Sequence, residues 1–211
     1  MIFHSIQVMN ENRLGRATSM QTQITNSLGT KLFLLRALKN PRQLGAVAPS
    51  SRHLGALLAK HAKGNDESPI VELGGGSGSL TRAMIKEGID PRRIYVIEIE
   101  ASLAEYLKTS LPQVNVIHGN AAELHKILPP EIIGQVKRIV SGLPMINIPE
   151  PVRKMILESC FEIMTPGGAY LQYTYSPRSS INAKAFQLKK KRLGTIFLNI
   201  PPATVWQYTK E

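Results

Sequence analysis

Between residues 70 and 175, short apolar runs alternate with amphipathic ones, and the first apolar run empties into five residues of which four are glycine. The runs at 70–73, 94–98, 114–118, 137–141 and 168–175 have the length and composition of buried strands. The stretches to about residue 87 and over 101–110, 121–128 and 151–164 carry helical periodicity. Strands that alternate with helices predict a parallel sheet covered on both faces. The end of the chain breaks this rule. Two strand-like runs at 196–199 and 204–208 are separated by little more than Pro201-Pro202. That is too short for a parallel crossover, so the pair is expected to be antiparallel. Upstream, Ser27 can cap a helix that runs to Lys39, where Pro41 forbids continuation. A loop over 40–51 leads to a second helix at 52–62, apolar at Leu54, Leu57 and Leu58.

Composition excludes several classes. Cys160 is the only cysteine, which rules out a disulfide framework and a thiolate metal cluster. His4, His53, His61, His118 and His125 have no zinc-ligand spacing. No metal is therefore expected. No apolar run approaches the roughly 20 residues of a membrane span, and the polar first 30 residues contain no signal-peptide centre. The expectation is a cytoplasmic protein. The net charge is +11, distributed as +8 over residues 1–65, −3 over 66–177 and +6 over 178–211. Basic flanks around a mildly acidic centre suit a polyanionic partner, either nucleic acid or an anionic membrane surface.

Glu72-Leu-Gly74-Gly-Gly76-Ser-Gly78 follows a strand and opens a helix. Glycines there allow a tight turn and a close backbone approach to a ligand. Glu72 lies inside the strand before the turn. Glu98 ends the next strand, where a carboxylate can accept from both hydroxyls of a ribose. Gly119-Asn120 ends the third strand. A P-loop is excluded because no Gly-Lys-Ser/Thr follows. A pyrophosphate-binding dinucleotide turn competes, but its third glycine falls one residue later, and an acidic strand end suits a cationic ligand better. A purely structural glycine turn is the remaining alternative.

These residues resemble the turn and ribose carboxylate of the class I S-adenosylmethionine-dependent methyltransferases. The resemblance implies a Rossmann-like α/β fold: a seven-stranded, mostly parallel sheet with an antiparallel C-terminal hairpin, helices on both faces and an N-terminal helical extension. It implies S-adenosylmethionine as cofactor and S-adenosylhomocysteine as product. Glu72, Gly74, Gly76, Gly78, Glu98, Asn120, Ala121 and Ser141 would hold the cofactor. Position 120 is Asn where Asp is common, and its carbonyl is expected to accept from the adenine amino group. Gly75 and Ser77 stand where a closer family described below often has Pro and Thr, with little expected consequence.

The fourth strand ends in Ser141-Gly-Leu-Pro-Met145. Enzymes that methylate adenine bases carry Asn or Asp at the first position and an aromatic at the last, so a flat base finds no platform here. The layout still looks like the ribosomal RNA adenine dimethyltransferases, which makes RNA methylation the alternative function. Three further segments resemble the bacterial phospholipid N-methyltransferases: Asn-Pro-Arg-Gln-Leu-Gly-Ala-Val-Ala-Pro-Ser-Ser-Arg at 40–52, Leu-Gln-Tyr-Thr-Tyr-Ser-Pro-Arg at 171–178, and Leu-Asn-Ile-Pro-Pro-Ala-Thr-Val-Trp at 198–206. This resemblance implies stepwise N-methylation of phosphatidylethanolamine toward phosphatidylcholine by an enzyme peripherally attached to the inner face of the membrane. A lipid-surface binding protein with a vestigial cofactor site is the non-enzymatic alternative.

Tyr173 and Tyr175 fall at the carboxyl end of strand five, and alternate residues share a face. Their rings are the expected catalytic pair, since aromatic faces attract methylated ammonium. Arg52, Arg178, Lys189 and Arg192 are expected to meet lipid phosphate. The proton acceptor is left open among substrate phosphate, tyrosine and solvent. Leu28, Leu32, Leu34, Leu35 and Leu38 cover about 160° of the first helix. With Lys31 and Lys39 inside that arc, this helix is expected to lie in a headgroup layer through Lys31, Leu32, Leu35, Arg36 and Lys39. Residues 1–65 are read as a tail plus a membrane or substrate lid, and 66–211 as the cofactor-binding domain. The expected partners are a phospholipid and an anionic membrane surface, without nucleic acid, and the protein is expected to be a monomer.

Overall fold

A computed structural model describes residues 51–199 and 201–210. The helix expected at 27–39, with Lys31, Leu32, Leu35, Arg36 and Lys39, lies outside the described residues. Within them the chain forms α1 (Ser51–Lys63), β1 (Ile70–Leu73), α2 (Ser79–Lys86), β2 (Ile94–Glu98), α3 (Ala101–Ser110), β3 (Asn115–His118) and a single turn α4 (Leu124–Ile127). Then follow β4 (Val136–Ser141), α5 (Glu150–Ile163), β5 (Met164–Thr174), β6 (Leu188–Ile196) and β7 (Ala203–Lys210).

The seven strands are ordered β3-β2-β1-β4-β5-β7-β6. Strands β1 to β5 pair in parallel, and β7 is antiparallel to both neighbours. Parallel strands buried on both faces read as unbroken apolar runs, and all four residues of β1 are buried, Glu72 among them. One face packs Val71, Leu73, Ile97 and Ile139 against α5 through Ile156, Leu157 and Cys160. The other packs Ile70, Val96, Val140, Leu171 and Val205 against α1 and α2. Strand order reverses between β1 and β4, and the crevice at their carboxyl ends is where open α/β sheets take ligands.

Three expectations change. The domain boundary at residue 65 falls after a helix that belongs to the core. Leu54, Leu58, Ala59 and Ala62 of α1 are buried, and burying a leucine side chain contributes roughly 1.5–3 kcal/mol. Helix α1 is therefore a layer of the domain and not a detachable lid. Second, β5 begins at Met164, four residues early, and the residues between Met164 and Ala169 bulge where the register shifts between the partners Val136 and Arg138. Third, Lys189 to Arg192 belong to β6, the edge strand, while Phe197 and Leu198 fall in the turn after it. Cations on an edge strand discourage pairing with other chains.

Candidate functional site

The glycine turn is pinned on both sides of β1. Gly74 N–H donates to the Ile97 carbonyl and Gly142 N–H to the Leu73 carbonyl, each at 2.8 Å. Gly76 has φ +52°, and a Cβ built on it meets nothing within 4 Å, so the turn leaves open space there. Its N–H donates to Glu98 Oε2 at 2.8 Å, while Glu98 Oε1 accepts from Glu100 N–H at 2.9 Å. Each oxygen keeps a second lone pair for a ligand hydroxyl. Gly75 behaves differently. A Cβ there would strike Val96 Cγ1 and stand 2.7 Å from Leu107 Cδ1. Glycine at 75 is thus a packing requirement of this chain, contrary to the expectation that it carries little consequence.

Glu72 is fully buried. Its Oε2 accepts from Thr81 Oγ1 at 2.6 Å, and its Oε1 has no hydrogen-bond partner among the described residues. Burial pushes its carboxyl up to about 8. The Thr81 hydroxyl opposes that rise and the Glu98 charge adds to it. A cation beside Oε1 would stabilise the ionised form.

Asn120 is buried, and its Oδ1 accepts from Ala122 N–H at 3.0 Å, capping the turn that begins at Ala121. The atom without a partner is Nδ2. The carbonyl expected to meet an adenine amino group gives one lone pair to the backbone and keeps a second, and the free amide nitrogen adds a donor that complements a ring nitrogen. Ser141 likewise turns its hydroxyl inward, accepting from Leu143 N–H at 3.2 Å. It orders the Ser-Gly-Leu-Pro loop. Gln172 completes that order: Nε2 donates to the carbonyls of Leu143 at 3.0 Å and Tyr173 at 2.9 Å, and Oε1 accepts from Tyr170 at 2.9 Å. Sequence reasoning missed Thr81 and Gln172, although a glutamine inside Ala-Tyr-Leu-Gln-Tyr was the available signal. His118 Nε2 meets the Ile99 carbonyl at 3.2 Å, as a strand-end residue does.

Tyr173 and Tyr175 stand edge to face, with centroids 5.7 Å apart and planes at 80°. They line a cavity of about 60 Å³ with the loop from Gly142 to Asn147 and Ser180, and another of about 80 Å³ against Leu54, Leu58 and Leu80. Burial raises both phenols. At Tyr173 the charges of Tyr175 and Glu72 add to it. Both therefore stay protonated near neutral pH and offer ring faces, which disfavours tyrosine as the proton acceptor.

The expected phosphate ligands do not all converge. Arg178 lines a groove of about 650 Å³ together with Arg153 and Lys190. Lys189 and Arg192 are exposed on β6 and do not line it. Lys189 points opposite to Lys190, as successive strand residues do. Arg52 is exposed in the first turn of α1. Among the described residues no cluster of His, Cys, Asp and Glu can hold a metal, and no helix is long and apolar enough to cross a membrane.

The residues present fit S-adenosylmethionine. Glu72 offers an unpaired oxygen to an ammonium, Gly76 leaves space, Glu98 retains lone pairs for a ribose diol, and Asn120 has a free donor. The sheet order, with the seventh strand inserted antiparallel between the fifth and sixth, is that of the class I S-adenosylmethionine-dependent methyltransferases. The fold matches the solved 1,6-didemethyltoxoflavin-N1-methyltransferase of Burkholderia thailandensis with a TM-score of 0.63, over 86% of this chain and 87% of that one. At 9% identity the likeness is one of fold. In sequence the chain is 26% identical over 149 residues to an ornithine lipid N-methyltransferase of Singulisphaera acidiphila, covering 69% of this chain and 78% of that protein. It is 34% identical over 113 residues to ribosomal RNA small subunit methyltransferase A of Paracoccus denitrificans, covering 51% of this chain but only 38% of that relative's length. No protein-family model matches the chain.

Proposed function

We propose that this protein methylates the amine of a membrane aminolipid with S-adenosylmethionine, acting on phosphatidylethanolamine and its mono- and dimethyl forms toward phosphatidylcholine. The observation that carries the reading is the edge-to-face Tyr173–Tyr175 pair at the carboxyl end of the sheet, next to a loop with no platform for a base. The cofactor supplies an electrophilic methyl on a sulfonium. Transfer to the amine lone pair would leave the S–C electron pair on sulfur, giving S-adenosylhomocysteine, and would release the amine proton to solvent. Glu72 and Glu98 would orient the cofactor, and the tyrosine faces would hold the amine and its methylated products. Alignment of this kind supplies up to about 7–11 kcal/mol.

The aromatic role has a direct check. Each cation–π contact contributes about 0.5–2 kcal/mol, so Tyr173→Ala is expected to slow lipid methylation roughly 2- to 30-fold, and Tyr173→Phe far less. A Phe variant as slow as the Ala variant would shift the role from ring to hydroxyl.

An apolar rim supports attachment to a bilayer. Phe197, Leu198 and Ile146 are 80%, 67% and 62% exposed. Register places the turn between β6 and β7 beside Thr174, at the end of the sheet that carries the tyrosines. Side chains of this type insert into the headgroup boundary. The double change Phe197→Asp with Leu198→Asp is expected to abolish sedimentation with anionic vesicles while leaving methylation of a detergent-dispersed short-chain lipid within a few-fold. Undiminished sedimentation would remove the rim from the attachment surface.

RNA methylation is the second reading, favoured by the Paracoccus relative. Ser141 and the buried Met145 count against it, since neither offers an amide or a ring to a base. The deciding experiment is transfer of labelled methyl to vesicles containing phosphatidylethanolamine, with ribosomal RNA as the parallel acceptor. Labelled mono-, di- or trimethylated lipid is expected. Labelled RNA with unlabelled lipid would reverse the order of the two readings.

A further inference from the structure

The groove beside the tyrosine cavity carries more cations than carboxylates. Arg153, Arg178 and Lys190 line it, against one carboxylate, Glu150. Three residues that line it each carry a buried polar atom without a hydrogen-bond partner among the described residues: Arg153 Nε, Trp206 Nε1 and Ser180 Oγ. Two of these can only donate, and the hydroxyl can donate as well. Buried donors are ordinarily satisfied, so three in one groove call for an acceptor that the described residues do not supply. Arg153 is already oriented, because its Nη1 donates to the Ser180 carbonyl at 2.9 Å. Lys190 Nζ sits 5.8 Å from the Trp206 ring centroid. A forked guanidinium, an indole N–H, a hydroxyl and an ammonium form a set suited to an oxyanion.

We infer that this groove binds the oxyanion of the substrate headgroup while its amine lies against Tyr173 and Tyr175. Ser180 lines both the groove and the tyrosine cavity, so the two spaces adjoin through one residue. That adjacency suits a zwitterion whose anion and amine are a few bonds apart. The oxyanion is the phosphodiester of an ethanolamine phospholipid or the carboxylate of an ornithine-type lipid. The pairing of groove with amine rests on the aminolipid reading above; the capture of an oxyanion does not.

Trp206 is the only tryptophan in the chain, so its emission reports on the groove without turnover. The full chain would be titrated with inorganic phosphate, glycerophosphoethanolamine and free ornithine, each against chloride at equal ionic strength. A saturable emission change with phosphate or glycerophosphoethanolamine is expected, its midpoint raised at least tenfold in Arg153→Lys and in Lys190→Gln. A stronger response to ornithine would assign the groove to a carboxylate. Should Arg153→Lys fail to fold, Lys190→Gln and Arg178→Gln, both at exposed positions, carry the comparison. No change beyond that of chloride, or midpoints unmoved in the variants, overturns the inference. A positive titration alongside absent lipid methylation would keep the oxyanion site and reject the aminolipid reading.

Discussion

Replacing Gly76 with valine is expected to weaken S-adenosylmethionine binding at least 100-fold while leaving a folded protein. The two effects separate because of where the residue stands. A Cβ at 76 meets no protein atom within 4 Å, so packing does not oppose the first carbon of a side chain there. The cost to the fold is the left-handed backbone at φ +52°, about 1–2 kcal/mol for a residue with a Cβ. For a chain of this size that lowers Tm by roughly 2–8 °C. The space the side chain fills is where a cofactor would lie over the backbone between Glu72 and Glu98. A 100-fold loss corresponds to about 2.7 kcal/mol of binding. Calorimetric titration with S-adenosylmethionine and a thermal melt measure both quantities. Gly75→Ala is the counterpart: its Cβ collides with Val96 and Leu107, and overpacking of this kind costs typically 1–3 kcal/mol of stability. Retained affinity in Gly76→Val would show that the cofactor does not pass over the turn.

The candidate site was legible in the sequence where a residue type contradicted its surroundings. Glu72 and Glu98 are charges in apolar strands, and the glycine cluster interrupts an apolar run, so all three announce a ligand. Atom-level roles were not legible. Asn120 and Ser141 are polar residues at strand ends, and such residues divide their oxygens between ligands and the local backbone. Here Ala122 and Leu143 donate to them. Strand β6 was hidden for a different reason. An edge strand is solvated over much of its length, so its alternation is weak, and Lys189 to Lys191 mask what remains. Helix α1 was undervalued because two of its four buried contacts are alanines, Ala59 and Ala62. They add little hydropathy yet allow close approach to the sheet. Arg153 gave no sign at all, since a cation in the second turn of an amphipathic helix looks like solvated surface until the fold places it beside Ser180 and Trp206.

The free protein is expected to lose stability as pH rises from about 5 to 8, and Glu72→Gln is expected to abolish that component of the loss. The carboxyl of Glu72 is raised from 4.5 to about 8 in the fold. Below 4.5 it is protonated in both folded and unfolded chains and contributes no pH dependence. Between the two values the folded protein holds a proton that the unfolded chain has released, so each step upward in pH favours unfolding. Above 8 the carboxyl is ionised in both states and the penalty is complete, about 5 kcal/mol at most from the size of the shift. His61 works in the opposite direction below its ordinary value of 6.5, since burial and then its cationic neighbours lower it, while Asp66, held at about 2 by Ser68, acts only below pH 4. The difference between wild type and Glu72→Gln therefore isolates the one carboxyl, read as denaturant midpoints at pH 5.5 and 8.5. A cationic cofactor beside Oε1 would restore the ionised form. Binding near pH 7 should then release close to one proton, seen as a buffer-dependent enthalpy in wild type and absent in Glu72→Gln. The variant should be the more stable protein at pH 8.5 and the weaker binder at every pH. Equal midpoints for the two proteins across the range would mean that Glu72 carries its charge in the fold unassisted.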